Sequence, residues 1–144
     1  MSWDNKEFVL TTVNEDAMAL QYASERLKDD KEVVLTAVKK DERALKYACA
    51  SLKNDKEFIL TAVNHNRWTL CFASEQLKDD KEVILTAVKQ DETALDFASP
   101  GIQKLCEGQD PVEALTRAIQ AEKLQARLNN TLAPKHENTR RIKI

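Results

Sequence analysis

Residues 29–53 read DDKEVVLTAVKKDERALKYACASLK, and residues 54–78 read NDKEFILTAVNHNRWTLCFASEQLK. The two stretches align without a gap. The same 25-residue unit appears once before them, at residues 4–28, and once after, at residues 79–103. Lysine recurs at Lys6, Lys31, Lys56 and Lys81, leucine at Leu10, Leu35, Leu60 and Leu85, and valine at Val13, Val38, Val63 and Val88. A period this regular is the signature of stacked repeats, in which each unit buries its apolar face on its neighbours.

Within residues 29–53, Asp29 is placed to cap a helix, with Glu32 three residues on as its capping-box partner. Val34, Ala37 and Val38 then recur at helical spacing to about Lys39. Asp41 opens a second helix, whose stripe of Ala44, Leu45, Ala48 and Leu52 carries it to about Leu52. Each unit is therefore expected to be two helices of about ten residues. Helices this short are marginal alone, so packing between units must hold them. Ala23, Ala48, Ala73 and Ala98 share one position, where a bulky side chain would hold helices apart. The units also alternate. The first and third share Phe8/Phe58 and Asn14/Asn64, the second and fourth Val33/Val83 and Lys39/Lys89, which suggests a duplicated 50-residue pair.

The ends differ from the middle. Trp3 and Phe8 flank Asp4 with hydrophobic-staple spacing, which would seal the first helix. In the fourth unit Pro100 and Gly101 break the pattern, and the helix there is expected to stop near Ser99. A longer helix follows over residues 111–129, with Asp110 as N-cap, Pro111 at the first position and Glu113 completing the box. It has two apolar stripes. Val112, Leu115, Ile119 and Ala126 form one; Ala114, Ala121, Leu124 and Leu128 lie roughly opposite. The second stripe needs burial on the last repeat, on a second copy or on a partner. The sequence thus specifies an all-α solenoid of four two-helix α-hairpin units over residues 1–103. A capping or interaction helix follows within 104–132, and then a basic, disordered tail over 133–144 (Lys135, Arg140, Arg141, Lys143).

Composition narrows the function. The 144 residues are 42% hydrophobic and 32% charged, with two glycines and three prolines. Residues 1–103 hold 14 basic and 19 acidic side chains, so the array offers no basic footprint for nucleic acid. No apolar run reaches the roughly 20 residues that span a bilayer. Met1 leads into a polar cap rather than a signal peptide, and the three cysteines lack metal-ligand spacing. They read as reduced thiols in an intracellular, cytoplasmic protein. No cofactor or metal is expected. Of the two histidines, His136 lies in the tail, and His65 is six residues from Cys71, off one helix face. No catalytic constellation forms. The pairs Asp29-Asp30 and Asp79-Asp80 stand where helix N-termini need acceptors, so capping accounts for them.

Comparison among the four units shows where the chain varies. One position of the second helix carries Met18, Arg43, Trp68 and Thr93. Three residues on stand Gln21, Lys46, Cys71 and Asp96, and four further Glu25, Ala50, Glu75 and Pro100. That spacing makes one helical stripe, tolerant of charge and so exposed. Tryptophan and arginine are enriched among interface hot spots. Arg67 and Trp68 are therefore candidate anchors for a protein partner, with His65, Met18, Arg43, Lys46 and Cys71 extending the surface. Alternatively, Trp68 folds over the array's own flank. Leu124, Leu128 and Ala121 are candidates for self-association into a homodimer, or for a partner. Cys49 replaces the serine of the other three units and reads as a small packing residue.

The run Asp-Lys-Glu-x-x-Leu-Thr-Ala-Val, followed by Ala-Leu-x-Tyr/Phe-Ala-Ser-x-x-Leu-Lys, resembles the domain-of-unknown-function family 4116. That family occurs in tandem in proteins of intracellular bacterial pathogens and of protists. The resemblance covers residues 4–103 and implies a tandem helical scaffold without assigned catalytic residues. In pathogens it implies a secreted effector in the host cytosol, or a regulator of one. Such a protein would act by binding and blocking another effector enzyme, for instance one that modifies ubiquitin.

Overall fold

The computed structural model describes residues 2–132. The basic tail expected at 133–144, and His136 within it, lie outside the described residues. Every regular element among the described residues is helical.

The four units share one construction. Each opens with a ten-residue helix: α1 (Lys6–Glu15), α3 (Lys31–Lys40), α5 (Lys56–His65) and α7 (Lys81–Gln90). A six-residue 3-10 helix follows: Ala17–Tyr22, Glu42–Tyr47, Arg67–Phe72 and Glu92–Phe97. A short α-helix closes the unit: α2 (Glu25–Lys28), α4 (Ala50–Lys53), α6 (Glu75–Lys78) and α8 (Pro100–Cys106). The all-α repeat stands as read, but the expected second helix is in two pieces. The stripe Ala44, Leu45, Ala48 and Leu52 is buried as expected. Between its halves Ala48 and Cys49 are extended, at ψ 158° and 151°.

The break has a physical cause. It frees the N–H of residue 49 from the helix and aims it at the preceding unit, where it donates to Lys28 O at 3.0 Å. The same bond recurs as Ser24 N to Trp3 O, Ser74 N to Lys53 O and Ser99 N to Lys78 O, at 2.8–2.9 Å. One intrahelical bond is exchanged for one that fixes the register between successive segments. Apolar periodicity looks the same on either side of such an exchange.

The caps sit one residue later than expected. Asp30, not Asp29, caps α3, its carboxylate accepting from Glu32 N and Val33 N; Asn5, not Asp4, caps α1. Asp4, Asn54 and Asp79 instead accept from the hydroxyls of Ser24, Ser74 and Ser99, each of which caps its own short helix. Cys49 cannot do this. It makes no side-chain cap bond, and Asp29 takes the Ser51 hydroxyl in place of the missing serine. Trp3 and Phe8 do pack, with ring centroids 5.1 Å apart, around the Asn5 cap.

The first helices stack as one layer and the 3-10 helices as a second, each element lying on its counterpart in the next unit. Val9, Val34, Ile59 and Ile84 line the core with Val13, Val63, Leu20, Leu45 and Leu70, all fully buried. The recurring Leu10, Leu35, Leu60 and Leu85 lie only partly buried against it. Lysine ties the layer together. Lys6 reaches Asp30 (3.0 Å) and Glu32 (2.8 Å), Lys31 reaches Asp55 (3.0 Å), and Lys56 reaches Asp80 (3.0 Å) and Glu82 (2.7 Å).

The fourth 3-10 helix does end just before Ser99, as its counterparts do in the other units, but a further helix follows it. Ser99 caps α8, and Pro100 occupies its first turn, where a missing N–H costs nothing. Gly108, at φ 73°, turns the chain toward α9 (Pro111–Leu132), where Asp110 accepts from Glu113 N at 3.0 Å. Helix α9 packs on α7, and Lys81 finds Glu122 there while Lys123 reaches Glu82. Ala114 and Leu115 are buried, whereas every residue from 121 to 132 is exposed.

Candidate functional site

The 3-10 helix puts residues i and i+3 above one another. Met18 and Gln21, Arg43 and Lys46, Trp68 and Cys71, Thr93 and Asp96 therefore form two parallel columns along the second layer. The positions 25, 50, 75 and 100, expected on the same stripe, lie beyond the break and belong to the short helices. The columns hold the outer ridge of the array. Arg43, Lys46, Trp68, Cys71, Thr93 and Asp96 are exposed, and Met18 and Gln21 partly so.

Trp68 is 43% exposed. Its ring meets Phe97 of the next unit edge-on at 5.2 Å, and the Arg67 guanidinium lies 5.0 Å from its centroid. One edge of Trp68 thus rests on the array's own flank, and the rest of the ring faces solvent. Arg67 extends an Nη to Asp91 at 3.0 Å, while its Nε is buried with no acceptor among the described residues. Asn66 caps the same 3-10 helix and donates to Glu42 of the preceding unit at 2.9 Å. Arg67 is consequently a tie between units as well as a support for Trp68.

Arg43 is held differently. It folds back on Asp41, with Nη2 to Oδ2 at 2.6 Å, and this guanidinium holds the Asp41 carboxyl below its usual range. Lys46 places its ammonium 4.9 Å from the centre of the Tyr47 ring. His65 ends α5, exposed, and Asn66 rather than a catalytic partner follows it. All three cysteines are free. Burial raises the Cys49 thiol, with Asp29 and Glu25 adding to it, and burial alone raises Cys106, so neither is primed as a thiolate.

A second surface lies on α9. Leu124, Leu128 and Leu132 are 57%, 49% and 59% exposed and follow at i, i+4 and i+8, with exposed Ala121 ahead of them. Leu132 extends the stripe beyond the helix end expected at 129. Between α7 and α9 is an open cleft of 370 Å³ lined by Lys56, Asp80, Lys81, Glu82, Ile119 and Glu122. Its lysines already pair with its carboxylates. Among the described residues no cluster of histidine, cysteine and carboxylate could hold a metal, and no helix is long and apolar enough to cross a membrane.

The family described as "Domain of unknown function (DUF4116)" matches residues 5–53 and again residues 55–103. The chain belongs to this family. Each DUF4116 copy spans two of the 25-residue units, in agreement with the alternation of the units, and the ridge runs across both copies. No curated protein and no solved structure matches the chain.

Proposed function

We propose that the protein is a non-enzymatic protein-interaction module, an adaptor or inhibitor of a partner enzyme, with the 3-10 ridge as its binding face. The observation that carries this is Trp68. It is a large aromatic, held in one orientation by Phe97 and Arg67 yet 43% exposed, at a position where other units carry methionine, arginine or threonine. An ordered aromatic loses little entropy on binding and buries much area. Its setting is an intracellular one, the cytoplasm or a host-cell cytosol, where three free thiols persist. In that setting blocking another effector, such as a ubiquitin-modifying enzyme, suits a scaffold of this kind.

The test is affinity capture with Trp68→Ala as the control. Arg67→Glu is a poor control, since it would set a second carboxylate against Asp91. Stoichiometric capture by wild type alone, at equal helicity, supports the reading. Equal capture by both proteins removes Trp68 from the interface. A second reading rests on Leu124, Leu128 and Leu132: self-association as the main role. A dimer by light scattering that Leu124→Glu/Leu128→Glu dissolves would favour it, and a monomer at high concentration would remove it.

A further inference from the structure

The charge of the array is unevenly placed along the ridge. The array is acidic overall, yet residues 39–53 hold five basic side chains and two acidic ones. Among the described residues Lys39, Lys40 and Lys46 form no ion pair, whereas Lys6, Lys31, Lys56 and Lys81 all do. Arg43 and Lys46 stand in the columns directly before Trp68 and Cys71, and their 3-10 helices pack on one another. On either side the sign reverses. Glu15 and Asp16 lie at the ridge's edge in the first unit, Glu92 and Asp96 in the fourth.

The geometry points to an acidic segment of a protein partner as the occupant of this ridge, its carboxylates at Arg43 and Lys46 and an apolar side chain against Trp68; this rests on the interaction role proposed above. Lys46 offers a free ammonium. Arg43 can add a second carboxylate to the one it holds, because a guanidinium has five N–H donors. The exposed face of Trp68 takes the apolar residue. The acidic flanks limit the length of the segment: a long polyanion would run into Glu15 and Asp16 at one end and Glu92 and Asp96 at the other. That disfavours nucleic acid and an anionic membrane, whose charge continues in every direction, and favours a short acidic stretch with neutral or basic ends.

The test uses the whole protein and a fluorescent peptide rich in aspartate and glutamate around one leucine, read by anisotropy. Binding should weaken at least about tenfold between roughly 0.05 and 0.5 M NaCl, as exposed charges are screened. Lys46→Glu should lower affinity by about tenfold or more, and Arg43→Glu/Lys46→Glu further, with unchanged helicity and melting. Trp68→Ala should lower it too, and Leu124→Glu/Leu128→Glu should not. Failure of the acidic peptide to bind overturns the inference, as does equal binding of its asparagine/glutamine counterpart or undiminished binding to Lys46→Glu. So does tighter binding of single-stranded DNA or of anionic vesicles. If the peptide fails while Trp68-dependent capture of a protein persists, the interaction role stands and the acidic segment falls. If the peptide binds as described and no protein is captured, the inference stands.

Discussion

Cys49 shows how one atom changes the wiring of a unit. Ser24, Ser74 and Ser99 each cap a short helix and donate to Asp4, Asn54 and Asp79, the residues just ahead of the N-caps of α1, α5 and α7. The Cys49 thiol is too weak a partner for either task, so α4 begins uncapped. Cys49→Ser should restore the cap and stabilise the protein by about 0.5–1 kcal/mol, read as a higher urea midpoint at constant slope. Cys49→Ala should show no such gain; equal gains from both would mean the cap is not made. The serine–cysteine exchange is visible in the sequence, but its meaning is not. It depends on Asp29 ending α2, and the sequence assigns Asp29 to the start of α3. Two adjacent aspartates fit two cap positions equally well, and only the inter-unit bond to the serine column separates them. The opposite case is Thr69, a fully buried hydroxyl at a position where Ala19, Ala44 and Ala94 stand. Its only acceptor among the described residues is Ala62 O at 3.5 Å, so Thr69→Ala should change stability by less than about 1 kcal/mol.

The lysine ladder belongs to the layer of first helices and explains a column the sequence shows without a role. Lys6, Lys31 and Lys56 each meet the N-cap aspartate of the next unit, and in two of these steps a glutamate two residues on. Backbone donation from Phe58, then Lys31, lowers Asp55 from its ordinary 3.8, and Lys56 lowers Glu82 from 4.5. Lys56 is raised by the bond to Glu82. A carboxylate lowered in the folded state adds stability above its unfolded pKa and loses it as pH falls through the folded one. A raised lysine adds stability below its unfolded pKa and loses it at higher pH. Asp55→Asn keeps a capping oxygen, as Asn5 does in the first unit, and removes the pair. Its melting temperature should lie below wild type at pH 7 and converge with it only once pH falls below the lowered folded pKa of Asp55, where both side chains are neutral. A gap that persists at low pH would assign the loss to the cap instead. The ladder was half legible: the period gave the lysines and aspartates, but pairing across units requires knowing that the helices stack in register.

The array ends asymmetrically, and how far that end acts on the rest of the chain depends on the coupling between units. Helix α9 covers α7 and supplies the acceptor for Lys81, yet among the described residues nothing comparable covers the 3-10 layer. Leu20, Leu45 and Leu70 are fully buried while Leu95 is only partly so. The apolar residues of α9 are visible in its sequence, but the fate of each stripe depends on where α9 crosses α7, which no pattern in the helix itself specifies: Ala114 of the second stripe is buried, and Ala126 of the first is exposed. Its first turns bury Leu115, and its last twelve residues meet solvent. In a stack with nearest-neighbour coupling, damage at the end should travel inward only weakly. Leu115→Ala should therefore cost about 2–5 kcal/mol in the fourth unit, seen as faster amide exchange in α7 and α8. Exchange in α1 and α3 should change far less. Leu124→Ala and Leu128→Ala should each change stability by less than about 0.5 kcal/mol. Equal loss of protection in all four units after Leu115→Ala would show instead that the array unfolds as one cooperative block, with α9 closing it as a whole.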